Sequence, residues 1–312
     1  MRALVTGVAG FIGSQLAEEL VKRGDSVVGI DCFTPYYSPS LKRKNLSALM
    51  SAERFRLVKK NILSADLGEL LRRTDVVFHL AAQPGIRLSW SKFEQYVENN
   101  LLATQAILQQ CGKQRKSVVF ASSSSVYGDS ETYPTKEDAP LLPVSPYGVT
   151  KQACERLCAL YARNTSLETI ILRYFTVFGP RQRPDMGIHR FIELALKGQP
   201  LTVYGDGSQE RDFTFVSDIV SGTLSAAEKG AWGETINLGG GKPSKLMDAV
   251  EMILTETSSR SKIKFDPPQM GDAKRTAADI SKAKELLGYN PSVDLRTGIR
   301  RQIEWQARRR GA

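Results

Sequence analysis

Residues 6–14, TGVAGFIGS, decide the predicted fold of this chain. The stretch lies between an apolar run at 2–7, predicted as a strand, and an amphipathic run at 11–23, predicted as a helix. Its three glycines are Gly7, Gly10 and Gly13. Small residues at this spacing let the backbone approach a pyrophosphate, which then rests on the amino end of the helix. The stretch therefore predicts a dinucleotide site; the simpler alternative is a tight turn with a helix cap.

Short apolar runs alternate with longer amphipathic runs up to about residue 175. Strands are predicted at 2–7, 26–31, 55–62, 75–81, 117–123 and 169–175. Helices are predicted at 11–23, 93–112 and 148–164. Nearly continuous apolar strands are typical of parallel sheets covered on both faces, and the alternation indicates βαβ units. The predicted fold class is α/β, a doubly wound parallel sheet of the Rossmann type with a second, smaller α/β substrate domain.

The pattern changes after about residue 175, where loops rich in Gly and Pro are mixed with shorter helices. We interpret this part as the smaller lobe, with the chain returning to the sheet at 213–240. The predicted dinucleotide-binding domain is then 1–174 together with 213–240. The predicted substrate domain is 175–212 together with 241–312.

The composition excludes several classes of protein. The 312 residues carry a formal net charge of +10, but the basic residues are dispersed, which argues against nucleic-acid binding. No apolar run reaches the roughly 18 residues of a membrane helix. The four cysteines show no metal-ligand spacing, and the sequence starts in a strand-like run without a signal-peptide pattern. We expect a cytoplasmic protein with no metal, nucleic-acid or membrane partner.

A carboxylate indicates which dinucleotide is bound. Asp31 ends the second predicted strand, 18 residues after Gly13, where it can accept hydrogen bonds from the adenosine ribose and repel a 2′-phosphate. This favours NAD over NADP. Asn61 follows the third strand, where an adenine can be contacted, and Asn100 either braces the active site or is an ordinary polar helix residue. The candidate cofactor contacts are Gly7, Gly10, Phe11, Ile12, Gly13, Asp31, Asn61, Ile62, Leu80, Ala81, Ala82, Asn100, Tyr147 and Lys151.

The candidate catalytic group centres on the pattern Y-x-x-x-K. Tyr147 and Lys151 are four residues apart, which puts both side chains on one helix face. A tyrosine has a pKa near about 10, so it is a poor base at neutral pH. A neighbouring ammonium and the positive nicotinamide ring of NAD⁺ both favour the phenolate. A strand ending in hydroxyls, with Ser123 among them, lies 24 residues upstream of Tyr147.

Several longer motifs resemble those of a known family. They are HLAAQ at 79–83, SSSSVYG at 122–128, SPYGVTK at 145–151, RYFTVFGPRQRP at 173–184, VYGDGSQERDFTFVSD at 203–218 and GDAKRTAAD at 271–279. Together they resemble the extended short-chain dehydrogenase/reductases that act on nucleotide sugars, and among these the bacterial UDP-glucuronate 4-epimerases. The resemblance implies NAD as cofactor, a UDP-sugar as substrate and a homodimer built through helices 93–112 and 148–164.

The resemblance also assigns roles to the serines. Ser123 takes the place of the hydroxyl that shares the substrate 4-OH with Tyr147. Related 4,6-dehydratases have Asp-Glu at the positions of Ser124 and Ser125, and related decarboxylases have Glu at the position of Ser125. The chain therefore keeps the oxidation machinery, Ser123, Tyr147 and Lys151, and lacks the additional acids of both branches.

The substrate contacts also follow from the resemblance. Arg211 and Arg275 lie where the family binds the diphosphate, and Asp272 where it binds the uridine ribose. Thr176 and Arg183 offer a hydroxyl and a planar guanidinium, a good match to a sugar carboxylate. The candidate substrate contacts are Ser124, Ser125, Thr176, Arg183, Arg211, Asp272 and Arg275.

The expected activity is NAD-dependent interconversion of UDP-glucuronate and UDP-galacturonate through a 4-keto sugar. Three alternatives stay open at this point. One is 4-epimerisation of UDP-glucose or UDP-N-acetylglucosamine, and another is decarboxylation of UDP-glucuronate. The third is a catalytically idle NAD-binding regulator.

Overall fold

The computed structural model describes residues 1–310. In chain order its strands are β1 (Arg2–Thr6), β2 (Ser26–Ile30), β3 (Phe55–Val58), β4 (Val76–His79), β5 (Ser117–Ser123), β6 (Thr169–Tyr174), β7 (Thr176–Phe178), β8 (Leu201–Tyr204), β9 (Glu210–Arg211), β10 (Phe213–Phe215), β11 (Thr235–Leu238), β12 (Ser244–Lys245) and β13 (Ile263–Asp266).

Twelve α-helices alternate with these strands in the described part of the chain. They are α1 (Phe11–Lys22), α2 (Pro39–Asn45), α3 (Leu67–Arg72), α4 (Ile86–Ser89), α5 (Phe93–Tyr96), α6 (Ala103–Gln114), α7 (Pro146–Thr165), α8 (Gly187–Leu196), α9 (Val216–Glu228), α10 (Leu246–Glu256), α11 (Ser281–Leu287) and α12 (Leu295–Arg310). A π-helical segment, Val97–Leu102, joins α5 to α6, so the helix predicted at 93–112 is present but not regular throughout. Within residues 1–310, no helix is long and apolar enough to cross a membrane.

The predicted doubly wound parallel sheet is confirmed. Seven strands form one sheet in the order β11-β6-β5-β4-β1-β2-β3, and every neighbouring pair is parallel. The order reverses between β1 and β4, which are neighbours in space although β2 and β3 lie between them in sequence. In such sheets ligands bind beyond the carboxyl ends of the strands at this reversal.

The two faces of the sheet are covered by different helices because side chains alternate along each strand. In β5, Val119 and Ala121 belong to the core that contains residues of α1 and α9. Val118 and Phe120, on the opposite face, belong to the core that contains residues of α3, α6 and α7. Apolar side chains on both faces explain why the strands appear in the sequence as unbroken apolar runs.

Two predicted strands are shorter than the sequence indicated. The strand predicted at 55–62 ends at Val58, because Asn61 accepts a hydrogen bond from the Leu63 backbone N–H and starts a 3₁₀ turn. The strand predicted at 75–81 ends at His79 and gives way to a loop. Both ends place polar or small residues at the carboxyl edge of the sheet.

The second half of the chain builds small strand pairs beside the sheet. These pairs are β10 with β7, β12 with β9 and β13 with β8. Strand β11 returns to the main sheet next to β6, inside the range 213–240 where a return was expected. The division into a dinucleotide domain and a substrate domain stays a prediction.

Candidate active site

The glycine turn after β1 has no room for side chains. Gly7 has φ +69°, and a Cβ there would lie 2.9 Å from the backbone of Ala81. A Cβ on Gly13 would lie 2.3 Å from the Gly7 carbonyl oxygen, so α1 packs directly against the turn. The result is a cradle of bare backbone at the amino end of α1, which is the arrangement that a pyrophosphate needs.

A cleft, here called the first cleft, opens above this turn at the point where the strand order reverses. Its lining residues are Gly7, Gly10, Phe11, Ile12, Gly13, Asp31, Thr34, Tyr36, Tyr37, Lys42, Leu80, Ala81, Ala82, Pro84, Ala121, Ser122, Tyr147, Lys151, Tyr174 and Arg183. A smaller pocket shares Asp31 and Ala81 with this cleft and adds Asn61 and Ile62. The predicted cofactor contacts, except Asn100, therefore line one continuous groove.

Asp31 is held rigidly at the edge of this groove. Its two carboxylate oxygens accept hydrogen bonds from the backbone N–H of Ala9 (3.0 Å) and of Phe33 (2.7 Å). The Lys42 ammonium lies 4.0 Å from one of these oxygens. Each oxygen has a further lone pair, so the carboxylate can still accept bonds from a ribose.

Asn100 lies behind the groove and ties three segments together. It is buried; its amide oxygen accepts a hydrogen bond from the Gln83 N–H (2.7 Å), and its Nδ2 donates to Thr150 Oγ1 (3.0 Å) on α7. His79 is also buried, between the hydroxyls of Thr6 (2.7 Å) and Thr104 (3.0 Å). Burial lowers the pKa of His79 to about 3, so its neutral form is a structural bridge.

Tyr147 and Lys151 lie on the first two turns of α7 and both line the first cleft. The Lys151 side chain is buried, with its Nζ donating to the Ala121 carbonyl oxygen (2.7 Å). The Tyr147 ring contacts the Tyr96 ring edge to face, with centroids 6.2 Å apart. The ammonium and the phenol therefore face the cleft from one helix.

The serines form the end of β5 and the turn that follows. The Oγ of Ser123 accepts from the Ser125 N–H (3.2 Å) and donates to the Ser125 hydroxyl (3.1 Å), closing a 3₁₀ turn at Ser124–Val126. A Cβ on Gly148 would lie 2.5 Å from the Ser125 carbonyl oxygen. This close approach brings the serine turn against the first turn of α7, next to Tyr147.

A buried ion pair supports the serine turn, and sequence reasoning missed it. Glu155 on α7 accepts a hydrogen bond from the Ser122 hydroxyl and pairs side-on with Arg173, at 3.0 and 2.8 Å. Arg173 also donates to the Tyr127 hydroxyl (2.7 Å). Because both charges are buried, the pair fixes β5, β6 and α7 relative to one another. Its only signal in the sequence was Arg173, a charged residue in the otherwise apolar strand β6.

Arg183 lines the first cleft and is already paired. Its Nε and Nη2 each donate to one carboxylate oxygen of Asp185, both at 3.0 Å, and the Tyr36 hydroxyl donates to the same carboxylate at 3.0 Å. Burial opposes the charge on Asp185. The Arg183 guanidinium and the Tyr36 hydroxyl outweigh it and hold the pKa of that carboxyl below its ordinary value. Tyr36 and Asp185 were not among the predicted site residues.

A second cleft lies among α8, β8 and the β9–β10 segment. Thr176, Arg211 and Asp272 are among the predicted residues that line it, and Arg211 donates to Asp272 Oδ1 at 2.9 Å. The wall also contains Arg87, Arg190 and Tyr204, which sequence reasoning did not select. The Arg87 guanidinium lies 4.2 Å from the centroid of the Tyr204 ring, and interaction with Arg190, then with Arg87, lowers the pKa of Tyr204. The wall of the second cleft therefore carries three arginines, Arg87, Arg190 and Arg211, against the two carboxylates of Asp185 and Asp272.

Arg275 lies next to the second cleft but is not part of its wall. It is exposed, and its guanidinium lies 4.7 Å from the centroid of the Tyr133 ring instead of in the wall of the second cleft. Its backbone bridges to Glu210, next to Arg211. Its role at the diphosphate stays a prediction.

The fold therefore combines a cradle suited to a dinucleotide, a Tyr–Lys pair on one helix and a second cleft lined by three arginines. A family model for the NAD dependent epimerase/dehydratase family matches residues 3–239, and the chain belongs to that family.

Individual relatives share the whole length of the chain. A Bacillus subtilis protein named as an uncharacterized UDP-glucose epimerase is 45% identical over 98% of each chain. A UDP-glucuronate 4-epimerase of Thermodesulfobacterium geofontis is 37% identical over 97% of this chain and 95% of its own. The crystal structure of the UDP-glucuronic acid 4-epimerase of Bacillus cereus, in complex with UDP-glucuronic acid and NAD, is 43% identical over 99% of each chain, with a TM-score of 0.96.

Proposed function

We propose that this protein is an NAD-dependent UDP-glucuronate 4-epimerase, which interconverts UDP-glucuronate and UDP-galacturonate. The observation that carries the proposal is the presence of Arg183 in the same cleft as Tyr147 and Lys151. A cation suited to bind a sugar carboxylate therefore lies in the same cleft as the group suited to oxidise a sugar hydroxyl. The named relatives that act on UDP-glucuronate support the same activity.

The glycine turn, Asp31 and Lys151 would hold NAD, and their geometry fits it. When bound, NAD supplies a hydride acceptor that returns the hydride to the sugar. Tyr147, as phenolate, takes the proton of the 4-OH and gives it back after the 4-keto sugar has turned over. Lys151 places its ammonium in the same cleft one helical turn from Tyr147, and Ser123 holds the substrate oxygen by a hydrogen bond.

The remaining polar residues divide between the two ends of the substrate. Ser124, Ser125, Thr176 and Arg183 bind the sugar carboxylate through hydroxyls and a guanidinium, which bring no second negative charge near it. Arg211 and Arg275 bind the diphosphate, and Asp272 binds the uridine ribose. Arg87 and Arg190 add positive charge to the same wall.

One assay tests the proposal. Purified protein, NAD⁺ and UDP-glucuronate are incubated, and the nucleotide sugars are separated by chromatography. UDP-galacturonate as the main product supports the proposal. UDP-pentose as the main product would make the protein a decarboxylase. Turnover of UDP-glucose in place of UDP-glucuronate would favour the neutral-sugar alternative, which the name of the Bacillus subtilis relative keeps open. No turnover of any nucleotide sugar would favour an NAD-binding regulator.

The proposal includes a homodimer. Helices α6 and α7 pack side by side, and α7 exposes Val149 and Leu160, which are 46% and 56% accessible. These two positions are 11 residues apart, three helical turns, so they share one face. A two-fold symmetric dimer, in which this face of α7 packs against the same face of a second copy, would bury both side chains, and such dimers are the commonest oligomers.

A further inference from the structure

The Arg183 guanidinium has two edges that can each bind a carboxylate, and Asp185 occupies one of them. Asp185 takes the side edge formed by Nε and Nη2, at 3.0 Å for each bond. The end edge, formed by Nη1 and the second proton of Nη2, is not taken by Asp185. An arginine can therefore hold one carboxylate at its side and a second at its end.

The side edge is itself fixed by a third residue. The Tyr36 hydroxyl donates to Asp185 Oδ2, which is the oxygen that also accepts from Arg183 Nη2. Tyr36 belongs to the loop that follows Asp31, and its hydroxyl packs against Gly85, where a Cβ would lie 2.3 Å from it. The loop beside the cofactor cradle and the loop that carries Arg183 are thereby joined through one carboxylate.

The pair also stands where the two clefts meet. Arg183 lines the first cleft together with Tyr147, and Asp185 lines the second cleft together with Thr176. We propose that Asp185 and Tyr36 are positioning residues, which hold Arg183 so that its end edge faces the carboxylate of the bound sugar. This inference rests on the proposed function, because it takes the substrate to be UDP-glucuronate.

The positioning has a chemical purpose. Oxidation at C4 makes the sugar a β-keto acid. If its carboxylate turns perpendicular to the carbonyl system, the C5–C6 bond breaks and its electron pair passes into the enolate of the 4-keto group. CO₂ leaves, and a proton then adds to C5. An arginine fixed from its side holds the carboxylate in one orientation, whereas a mobile arginine side chain lets it turn.

The charges predict an unusual pattern of kinetic constants. Asp185→Asn removes a negative charge that competes for Arg183, which favours binding of the substrate carboxylate. It also loosens the guanidinium, which disfavours binding, so we expect KM for UDP-glucuronate to change by less than about threefold. We expect kcat for the formation of UDP-galacturonate to fall by about tenfold or more, because the sugar carboxylate is no longer held in one orientation. The share of UDP-pentose among the products should rise.

The test compares three variants of the whole protein with NAD⁺ and UDP-glucuronate. Tyr36→Phe removes the hydroxyl that donates to Asp185. Like Asp185→Asn, it should lower kcat and raise the share of UDP-pentose, but to a smaller extent than Asp185→Asn does. Glu18→Gln is the control for loss of an Arg–carboxylate pair: Arg181 Nη2 donates to both carboxylate oxygens of Glu18, at 2.8 and 2.9 Å, and Glu18 lines neither cleft. It should behave as the wild type in kcat, KM and products.

The outcomes separate the inference from the proposed function. If Asp185→Asn and Tyr36→Phe show the kcat and product ratio of Glu18→Gln, the positioning role is wrong. A parallel loss in kcat and rise in KM, with an unchanged product ratio, indicates a general structural role and also overturns it. If Asp185→Asn does not fold, Tyr36→Phe decides alone. A wild type that makes no UDP-galacturonate overturns the proposed function instead.

Discussion

Lys151 and Ala121 are joined by a hydrogen bond of 2.7 Å, from the buried ammonium to the carbonyl oxygen two residues before Ser123. This bond fixes α7 against the end of β5. It also holds the ammonium one helical turn from Tyr147, in the same cleft. The relationship explains how a phenol on a helix and a hydroxyl at the end of a strand can act on one substrate oxygen.

Tyr147→Phe tests the acid–base role directly. We expect this variant to bind NAD and UDP-glucuronate but to lose turnover by about 10²- to 10⁴-fold, because no group remains to move the 4-OH proton. Calorimetry measures the two affinities, and chromatography of the products measures the rate. A variant that keeps a tenth of the wild-type rate, or more, would exclude Tyr147 from this role.

Asp31 should determine the choice of cofactor. We expect the wild type to bind NAD more tightly than NADP, because the fixed carboxylate repels a 2′-phosphate. Asp31→Asn removes the charge and leaves Lys42 in place, so the affinity for NADP should rise by about tenfold or more, a gain of about 1.4 kcal/mol. Titration with both cofactors measures this. Asp75→Asn, at the opposite end of the sheet, is the control; equal affinities in the wild type would contradict the assignment.

Arg183→Ala should separate charged from neutral sugars. We expect transition-state stabilisation with UDP-glucuronate to fall by about 2–5 kcal/mol, because a desolvated carboxylate loses its charged partner. Any weak activity on UDP-glucose should be spared. The measurement is kcat/KM for both substrates in the wild type and the variant. Unchanged turnover of UDP-glucuronate would make Arg183 irrelevant to the carboxylate and would favour the neutral-sugar alternative.

His79 should make the protein acid-sensitive. Its pKa is about 3 in the folded protein, against about 6.5 in the unfolded chain, so only the unfolded chain takes up this proton as pH falls below about 6.5. Stability is therefore lost on acidification, by about 2 kcal/mol from this group between pH 7 and pH 5.

Urea unfolding of His79→Gln at both pH values checks this contribution. The variant should lose less stability between pH 7 and pH 5 than the wild type, although it is less stable at pH 7. His189→Gln is the comparison: burial also lowers the pKa of His189, but His189 is only partly buried, so this variant should recover less of the acid-induced loss than His79→Gln. The same acid-induced loss in His79→Gln and in the wild type would show that this histidine is not the source.

Leu160→Glu tests the homodimer. A charge on the exposed face of α7 would have to be desolvated in a two-fold interface, so we expect the variant to be a monomer by light scattering where the wild type is a dimer. Met50→Glu is the control, because Met50 is 60% accessible but lies outside α6 and α7. A monomeric wild type at assay concentration would contradict the predicted assembly.

The sequence by itself determined the features that depend on neighbours along the chain. The glycine turn, the parallel strands and the Tyr147–Lys151 spacing each follow from the geometry of one turn, strand or helix. The strand ends were less well predicted, because the turn at Asn61 depends on one local side-chain hydrogen bond.

Only the tertiary structure decided which distant residues meet. Tyr36 and Asp185 are 149 residues apart and share a hydrogen bond, and Glu155 and Arg173 form a buried pair across two elements. The contact between the Arg275 guanidinium and the Tyr133 ring also joins two distant segments. The physical reason is that periodicity fixes the direction of a side chain within its own element. Contacts between loops depend on how those elements pack, and no short stretch of sequence encodes that packing.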